Sequence, residues 1–141
     1  MKTLAIFFAF TLTTLLTHAQ DSLQTYNITV KIDNILNNSG SMLIGLHNEN
    51  TFMKTKGLDS IKSAIVDGKV QVTFKNLKPG TYAVLVLHDA NNNGKMDFDN
   101  SGMPSEFYGM SNNPTMLYGP PIFSDAKFYL GNEDVELQIT L

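Results

Sequence analysis

Hydrophobic and polar residues alternate in several short segments of this chain. In YNITVKI (residues 26–32), Tyr and three β-branched apolar residues alternate with Asn, Thr and Lys, and SMLIGLH (41–47) and KVQVTF (69–74) alternate similarly. A period of two is typical of β-strands with one buried face. The C-terminal VELQITL predicts a further strand, whereas TYAVLVLHD (81–89) contains an unbroken apolar run from Tyr82 to Leu87, as expected of a strand in the middle of a sheet.

Turn-forming residues separate these predicted strands. Asn37 to Gly40 lies between the first two, which we expect to form a hairpin, and Asp67-Gly68 precedes the third. The segment 49–63 has weak helical periodicity interrupted by glycine, so we expect a loop or one short helical turn there. Short strands with few helical stretches predict an all-β fold, an antiparallel β-sandwich of about seven strands.

The stretch from Ala90 to Ser124 does not fit a simple connection between strands. It holds four of the five prolines and follows the apolar strand directly. Loops of this length in compact domains are uncommon and are often functional. We therefore expect any functional site to lie in this long loop.

The N-terminal segment MKTLAIFFAFTLTTLLTHA has a basic start at Lys2, an apolar stretch from Leu4 to Leu16, and small residues ending at Ala19. This is the layout of a secretory signal peptide. The alternative is a membrane anchor, but the apolar stretch is shorter than the roughly 20 residues that span a bilayer. The sequence thus predicts a signal peptide at residues 1–19 and one secreted or periplasmic β-sandwich domain at 20–141, with no membrane span.

Composition narrows the possible partners. All 10 basic residues are lysine, against 13 acidic residues, and the net charge is −3. Without arginine the chain lacks the bidentate group favoured for phosphate and guanine, so we expect no nucleic-acid partner. There is also no cysteine, which excludes disulfides and a lipid-modified cysteine.

The segment HDANNNGKMDFDN (residues 88–100) carries oxygen-bearing side chains at alternate positions, as calcium-binding loops do. Six residues match positions 1, 3, 5, 6, 7 (a backbone carbonyl) and 9 of an EF-hand calcium loop: Asp89, Asn91, Asn93, Gly94, Lys95 and Asp97. The bidentate glutamate expected at position 12 is replaced by Asn100, and a strand precedes the loop, so this is not an EF-hand. Either Asp99 or the later Glu106 could supply the missing carboxylate.

The alternative to a metal site is a plain hairpin turn, because Asn93-Gly94 is a strong type I′ turn signal. A turn does not explain why acidic and amide residues extend in alternation on both sides. The pattern therefore predicts a structural calcium ion that orders the long loop. With two neutral amides among the ligands, we expect a dissociation constant on the order of 10⁻⁴ to 10⁻³ M.

Other groups of residues are weaker candidates for a zinc site, a catalytic site or a ligand-binding surface. His47 and His88 end two predicted strands and could form a zinc pair, although strand-end histidines that only form hydrogen bonds are commoner. Ser111 lacks the second glycine of G-x-S-x-G and a base to activate it, so no catalytic residue is predicted. The long loop also holds one acidic and four aromatic residues: Glu106, Phe107, Tyr108, Tyr118 and Phe123. These side chains could bind a sugar or a protein partner, but we expect them to pack together as a small satellite core.

The motifs NLKPGTYAVLVLHDANNNGKMD, GMPSEFYGMSNNP and GPPIFSDAKFYL together resemble those of DUF2141, a family of bacterial secreted domains of unknown function. The resemblance covers most of the chain after residue 19. It implies a transthyretin-like or Ig-like sandwich in which Leu77 to Tyr82 leads into a core strand. It also implies that Asp89 to Asp97 and Gly102 to Asn112 are the family's two loop motifs. No activity is implied.

We therefore expect a non-catalytic module for binding or cell-envelope structure, with an unidentified protein or glycan partner. The alternative is a carbohydrate-binding protein or enzyme that uses the surface around Glu106 and Tyr108.

Overall fold

A computed structural model describes residues 24–115 and 119–141. The predicted signal peptide lies outside these residues. The described part contains eight strands and one short helix: β1 Tyr26–Ile32, β2 Ser41–His47, β3 Asp59–Ser63, β4 Val70–Leu77, β5 Gly80–Asp89, β6 Tyr108–Met110, α1 Phe123–Ala126, β7 Phe128–Leu130 and β8 Val135–Ile139.

The strands form two sheets packed face to face, which confirms the predicted β-sandwich. One sheet has the order β4-β1-β8 and the other β3-β2-β5-β6, with β7 pairing with the beginning of β5. β5 lies between β2 and β6, as its apolar character predicted. The prediction of a purely antiparallel arrangement needs one correction, because β1 and β8 pair in parallel while the other strand pairs are antiparallel.

The core lies between the sheets and follows the alternation in the sequence. Its centre is made of buried aliphatic side chains from both sheets, including Ile28, Val30, Ile32, Met42, Ile44, Leu46, Val84 and Val86. Burying each such side chain contributes roughly 1.5–3 kcal/mol. The opposite sides of β2 and β5 point away from this core, and we call that side of the sheet its outer face.

The predicted hairpin between β1 and β2 is wrong. β1 pairs with β4 and β8, whereas β2 pairs with β3 and β5 in the other sheet. The connection through Gly40 therefore crosses from one sheet to the other. Turn-forming residues mark where a strand ends, but they do not determine whether the next strand stays in the same sheet.

The segment 49–63 is a turn followed by β3, so the predicted loop ends earlier than expected. β3 (DSIKS) is mostly polar and is paired on one side only, which explains why its hydrophobic pattern is weak. The long loop begins where predicted, directly after Asp89, but it contains β6 and the first two residues of α1.

A second, smaller core covers one end of the outer face. It consists of Phe52, Ala83, Met110 and Ala126, with Leu85 and Phe123 packed against it. Within the described residues, no helix has the length and apolar character needed to cross a membrane.

Candidate functional site

Asp89 is the last residue of β5 and anchors the Asp- and Asn-rich loop. Its side chain is fully buried. The backbone N–H of Asn93 donates to Asp89 Oδ1 over 3.0 Å, and that of Gly94 donates to Oδ2 over 2.9 Å. Gly94 has a φ of +79°, a conformation that costs glycine little and other residues more. The loop therefore folds back over the carboxylate of Asp89.

The side chains of Asn91, Asn93 and Asp97 meet in this loop. Asn91 Nδ2 donates to Asp97 Oδ2 over 2.6 Å, and Asn93 Nδ2 lies 2.9 Å from both carboxylate oxygens of Asp97. Three of the predicted ligands are thus within hydrogen-bonding distance of one another. Lys95 lies between them in the chain, and its N–H donates to Asn93 Oδ1 over 3.0 Å.

The donor atoms of this loop suit a hard cation. Carboxylate and amide oxygens each have two lone pairs, so an oxygen that accepts one backbone N–H can still coordinate an ion. The amide oxygens of Asn91 and Asn93 each accept one backbone N–H. Calcium prefers oxygen ligands of this mixed kind. In residues 24–115 and 119–141, however, no three His, Cys or acidic side chains come together, so the loop offers two carboxylates and amides.

Asp99 is engaged in a separate turn. Its Oδ1 accepts the hydroxyl of Ser101 over 2.6 Å and the backbone N–H groups of Ser101 and Met103 over 2.8 and 2.9 Å. These bonds, the Ser101 hydroxyl first, lower the pKa of Asp99. The carboxylate therefore organises residues 99–103.

Glu106 connects the loop to the second motif. Its Oε1 accepts the backbone N–H of Ala90 over 2.9 Å, and its Oε2 accepts that of Asp97 over 3.2 Å. Both oxygens are thus directed at the backbone on either side of the Asn-rich segment. Glu106 holds the two ends of that segment together from a position six residues beyond Asn100.

Gly40 lies against the beginning of the loop. It has a φ of +70°, and a Cβ atom at this position would be 2.0 Å from the carbonyl oxygen of Asp89. Ser41 Oγ also donates to Asn92 Oδ1 over 2.7 Å. The connection between the two sheets thus supports the loop from one side, and nothing in the spacing of the loop residues indicates this contact.

The two histidines do not form a metal pair. His47 is paired with Ala83 and His88 with Met42 in the β2–β5 ladder, so they lie at opposite ends of the strands. His88 Nε2 bonds to the carbonyl of Ser39 over 2.8 Å. His47 Nδ1 lies 3.2 Å from the carbonyl of Thr51, and burial lowers its pKa. Each histidine therefore bonds to a backbone carbonyl near its own end of the sheet.

Ser111 is a structural residue. Its fully buried hydroxyl accepts the N–H of Val84 over 3.0 Å and donates to the carbonyl of Ala126. The following Asn112 donates to the carbonyls of Asp125 and Lys127, and Asn113 both donates to Gln138 and accepts the N–H of Thr140. Both asparagines have positive φ. The hydrogen bonds of Ser111, Asn112 and Asn113 connect β5, α1 and the end of β8 at this turn.

The aromatic residues of the long loop do not form one cluster. Phe107 is 51% exposed, Tyr108 is half-buried on the outer face, and Phe123 packs on Phe52 in the second core at a ring distance of 5.7 Å. Tyr118 lies outside the described residues. The predicted satellite core is therefore wrong as a single unit, since only Phe123 belongs to a buried cluster.

The fold and the loop define a β-sandwich domain with an oxygen-rich loop after its central strand. The model of the family described as "Uncharacterized protein conserved in bacteria (DUF2141)" matches residues 30–138. The chain belongs to this family, which confirms the resemblance drawn from its motifs. Among solved structures, a pilus-presented adhesin is similar at 16% sequence identity and a TM-score of 0.30, and the match covers 84% of this chain and 26% of the adhesin chain. No curated protein matches.

Proposed function

We propose that this protein is an exported, non-catalytic β-sandwich module of the bacterial cell envelope or its surroundings, whose long loop is ordered by a calcium ion. Asp89, Asn91, Asn93 and Asp97 would be the side-chain ligands and the carbonyl of Lys95 a backbone ligand. Glu106 would stabilise the site from outside by fixing the backbone on both sides of it.

The observation that carries the calcium proposal is the meeting of Asn91, Asn93 and Asp97 next to the buried carboxylate of Asp89. In the structure, two amide NH₂ groups surround the Asp97 carboxylate. The Oδ1 atoms of Asn91 and Asn93 accept the backbone N–H groups of Asn93 and Lys95, and each keeps a second lone pair that could coordinate an ion beside Asp97. Two carboxylates and two amides give a weakly charged ligand set, which corresponds to affinities on the order of 10⁻⁴ to 10⁻³ M.

The non-catalytic part of the proposal rests on how the candidate catalytic groups are used. Ser111 is fully buried and bonded to the backbone on both sides. Both oxygens of Glu106 accept backbone N–H groups, so this carboxylate is not directed at a substrate. The alternative of an enzyme or carbohydrate-binding protein using Glu106 and Tyr108 is less well supported for that reason.

Titration calorimetry with calcium tests the site. We expect the unmodified protein to bind one calcium ion with a dissociation constant on the order of 10⁻⁴ to 10⁻³ M. Asp97→Asn keeps the shape of the side chain but removes one of two carboxylates, and should weaken binding by about tenfold or more. Asp99→Asn is the matched control, because it removes the same charge two residues away while asparagine can still accept the turn's hydrogen bonds.

Equal loss of binding in Asp97→Asn and Asp99→Asn would mean that the loop responds to net charge only. An absence of binding heat at millimolar calcium in the unmodified protein would exclude the calcium site.

Export is tested separately by expressing the full chain in a bacterium and sequencing the N-terminus of the processed protein. We expect a mature protein that begins at Gln20 in the periplasm or medium. Retention of residues 1–19 on a cytoplasmic product would contradict the proposal. The layout of a basic start, apolar stretch and small residues before the cleavage point is what supports it.

A further inference from the structure

The outer face of the β3-β2-β5-β6 sheet is an open apolar groove of about 840 Å³. Its floor is made of residues paired across the strands: Leu43 is opposite Leu87, and Gly45 is opposite Leu85. Because residues directly opposite in a sheet share a face, these leucines lie side by side. We call this cavity the outer groove.

Loops on two sides form the walls of the outer groove. The walls include Met53, Met96, Phe98, Met103 and Pro104. Met53, Phe98 and Met103 are 55%, 60% and 62% exposed, and because they line one cavity together they form a contiguous apolar surface, which is typical of interaction sites. Methionine is flexible and polarizable, so it adapts to apolar ligands of different shape. The volume is within the range of pockets that enclose small molecules.

Gly45 leaves room for the His47 ring beside the floor of the groove. A Cβ atom at this position would be 2.7 Å from His47 Nε2, so the glycine leaves room for the imidazole to lie against the sheet. The Thr51 carbonyl can only accept, so His47 Nδ1 carries the proton of the neutral ring and Nε2 is left as an acceptor. The second core closes the outer face beyond this point.

The charges along the groove have one sign. Lys56 and Lys62 are the charged residues of its lining, and no acidic residue in the described part of the chain lines it. Lys62 is paired with Leu43 on the neighbouring strand and lines the cavity, so its side chain borders the apolar floor. Neither lysine forms an ion pair with a residue that the structure describes. The groove thus combines a long apolar surface with positive charge on one side.

We propose that the outer groove binds a single-chain amphiphile with an anionic head, such as a fatty acid, with its alkyl chain on the Leu43, Leu85 and Leu87 floor and its carboxylate near Lys56 and Lys62. A neutral apolar ligand would use only the floor, and a cationic amphiphile would be repelled. Met96, Phe98 and Met103 belong to the long loop, but the Leu43, Leu85 and Leu87 floor and Lys62 lie on strands, so the contacts that carry this proposal do not rest on the proposed calcium ion.

Binding of decanoate, measured by calorimetry below its micelle concentration, tests this proposal. Octanoate should bind more weakly than decanoate by about fourfold for each methylene removed, because burying one methylene contributes about 0.8 kcal/mol. Decyltrimethylammonium, with the same chain and the opposite charge, should bind about tenfold more weakly than decanoate. Equal binding of the two head groups, or no binding of any of the three, would overturn the proposal.

Variants locate the ligand. The double substitution Lys56→Gln and Lys62→Gln should bring decanoate binding down to the level of decanol, while Lys75→Gln with Lys78→Gln, which changes the net charge equally, should leave it unchanged. Met103→Glu should weaken binding about tenfold by placing a negative charge in the wall. Val66→Glu is its control, because Val66 is 64% exposed and does not line the groove.

Sedimentation velocity tests another occupant, a second copy of this chain. A monomer is expected. The proposal would be overturned by a dimer that Met103→Glu dissociates but decanoate does not dissociate. Such a dimer would mean that a second protein chain fills the outer groove.

Discussion

Glu106 and Ala90 are joined by a hydrogen bond of 2.9 Å from the backbone N–H of Ala90 to Oε1. With the bond from Asp97 N–H to Oε2, it ties the second loop motif to both sides of the Asn-rich segment. The glutamate thus gives the long loop a structural reason for its length, because the carboxylate that closes the segment comes from a later turn.

Glu106→Gln should destabilise the protein. Glutamine can accept only one of the two backbone N–H groups, and its NH₂ group would face the other donor. Since a hydrogen bond to a charged group contributes about 1.5–3 kcal/mol, we expect the free energy of unfolding in urea to fall by roughly 1–3 kcal/mol. Glu136→Gln is the matched control; it removes an exposed ion pair with Lys31, which should cost about 0–1 kcal/mol. Equal effects would contradict the role of Glu106.

Ser111→Ala should be more severe. The substitution leaves the N–H of Val84 and the carbonyl of Ala126 buried without a partner, at a cost of about 1–3 kcal/mol each. We expect a loss of roughly 2–4 kcal/mol in equilibrium unfolding. Ser105→Ala, at an exposed position whose hydroxyl bonds to no described residue, should change stability by less than about 0.5 kcal/mol. A small effect at Ser111 would mean that its hydroxyl is not structural.

Stability should fall on mild acidification because of His47. Burial, the largest cause, lowers its pKa in the folded protein below the ordinary value of 6.5, against a smaller opposing effect of the Thr51 carbonyl. The unfolded chain therefore binds a proton as the pH drops through 6.5 before the folded protein does, and stability decreases until the folded pKa is reached.

Urea unfolding at several pH values between 7.5 and 4.5 measures this slope. His47→Gln should flatten it, whatever its effect on absolute stability. Asp99 and Asp134 do not interfere, because their pKa values are lowered from 3.8, so their contributions are lost only below that pH. An unchanged slope in the variant would assign the acid sensitivity to another group.

The sequence predicts the long strands better than the short ones. β1 and β2 have the predicted bounds because their alternation is strong, whereas β6 and β7 have three residues each and too little pattern to detect. The β1–β2 hairpin was wrong because sheet membership depends on packing with distant strands. The parallel pairing of β1 with β8 is equally invisible in local sequence.

In the candidate site, too, the sequence predicts local contacts but not contacts that depend on the fold. The alternation of Asp and Asn predicts that Asn91, Asn93 and Asp97 lie together, because these residues are close in the sequence. The engagement of Asp99 with Ser101 and Met103 depends on turn geometry that the spacing does not specify. The sequence does not reveal the outer groove, because apolar residues on both faces of β5 also predict a strand that is buried on both faces.

Two-dimensional NMR of backbone amides during a calcium titration tests the central claim most directly. We expect saturable shifts at millimolar calcium for the amides of Asn93, Gly94 and Lys95, which bond to the proposed ligands, with slower hydrogen exchange at Ala90 and Asp97, which bond to Glu106. The amides of Ser101 and Met103 should change little. The calcium-ordered loop would be contradicted if the loop amides do not shift at millimolar calcium, or if the shifts are centred on residues 99–103.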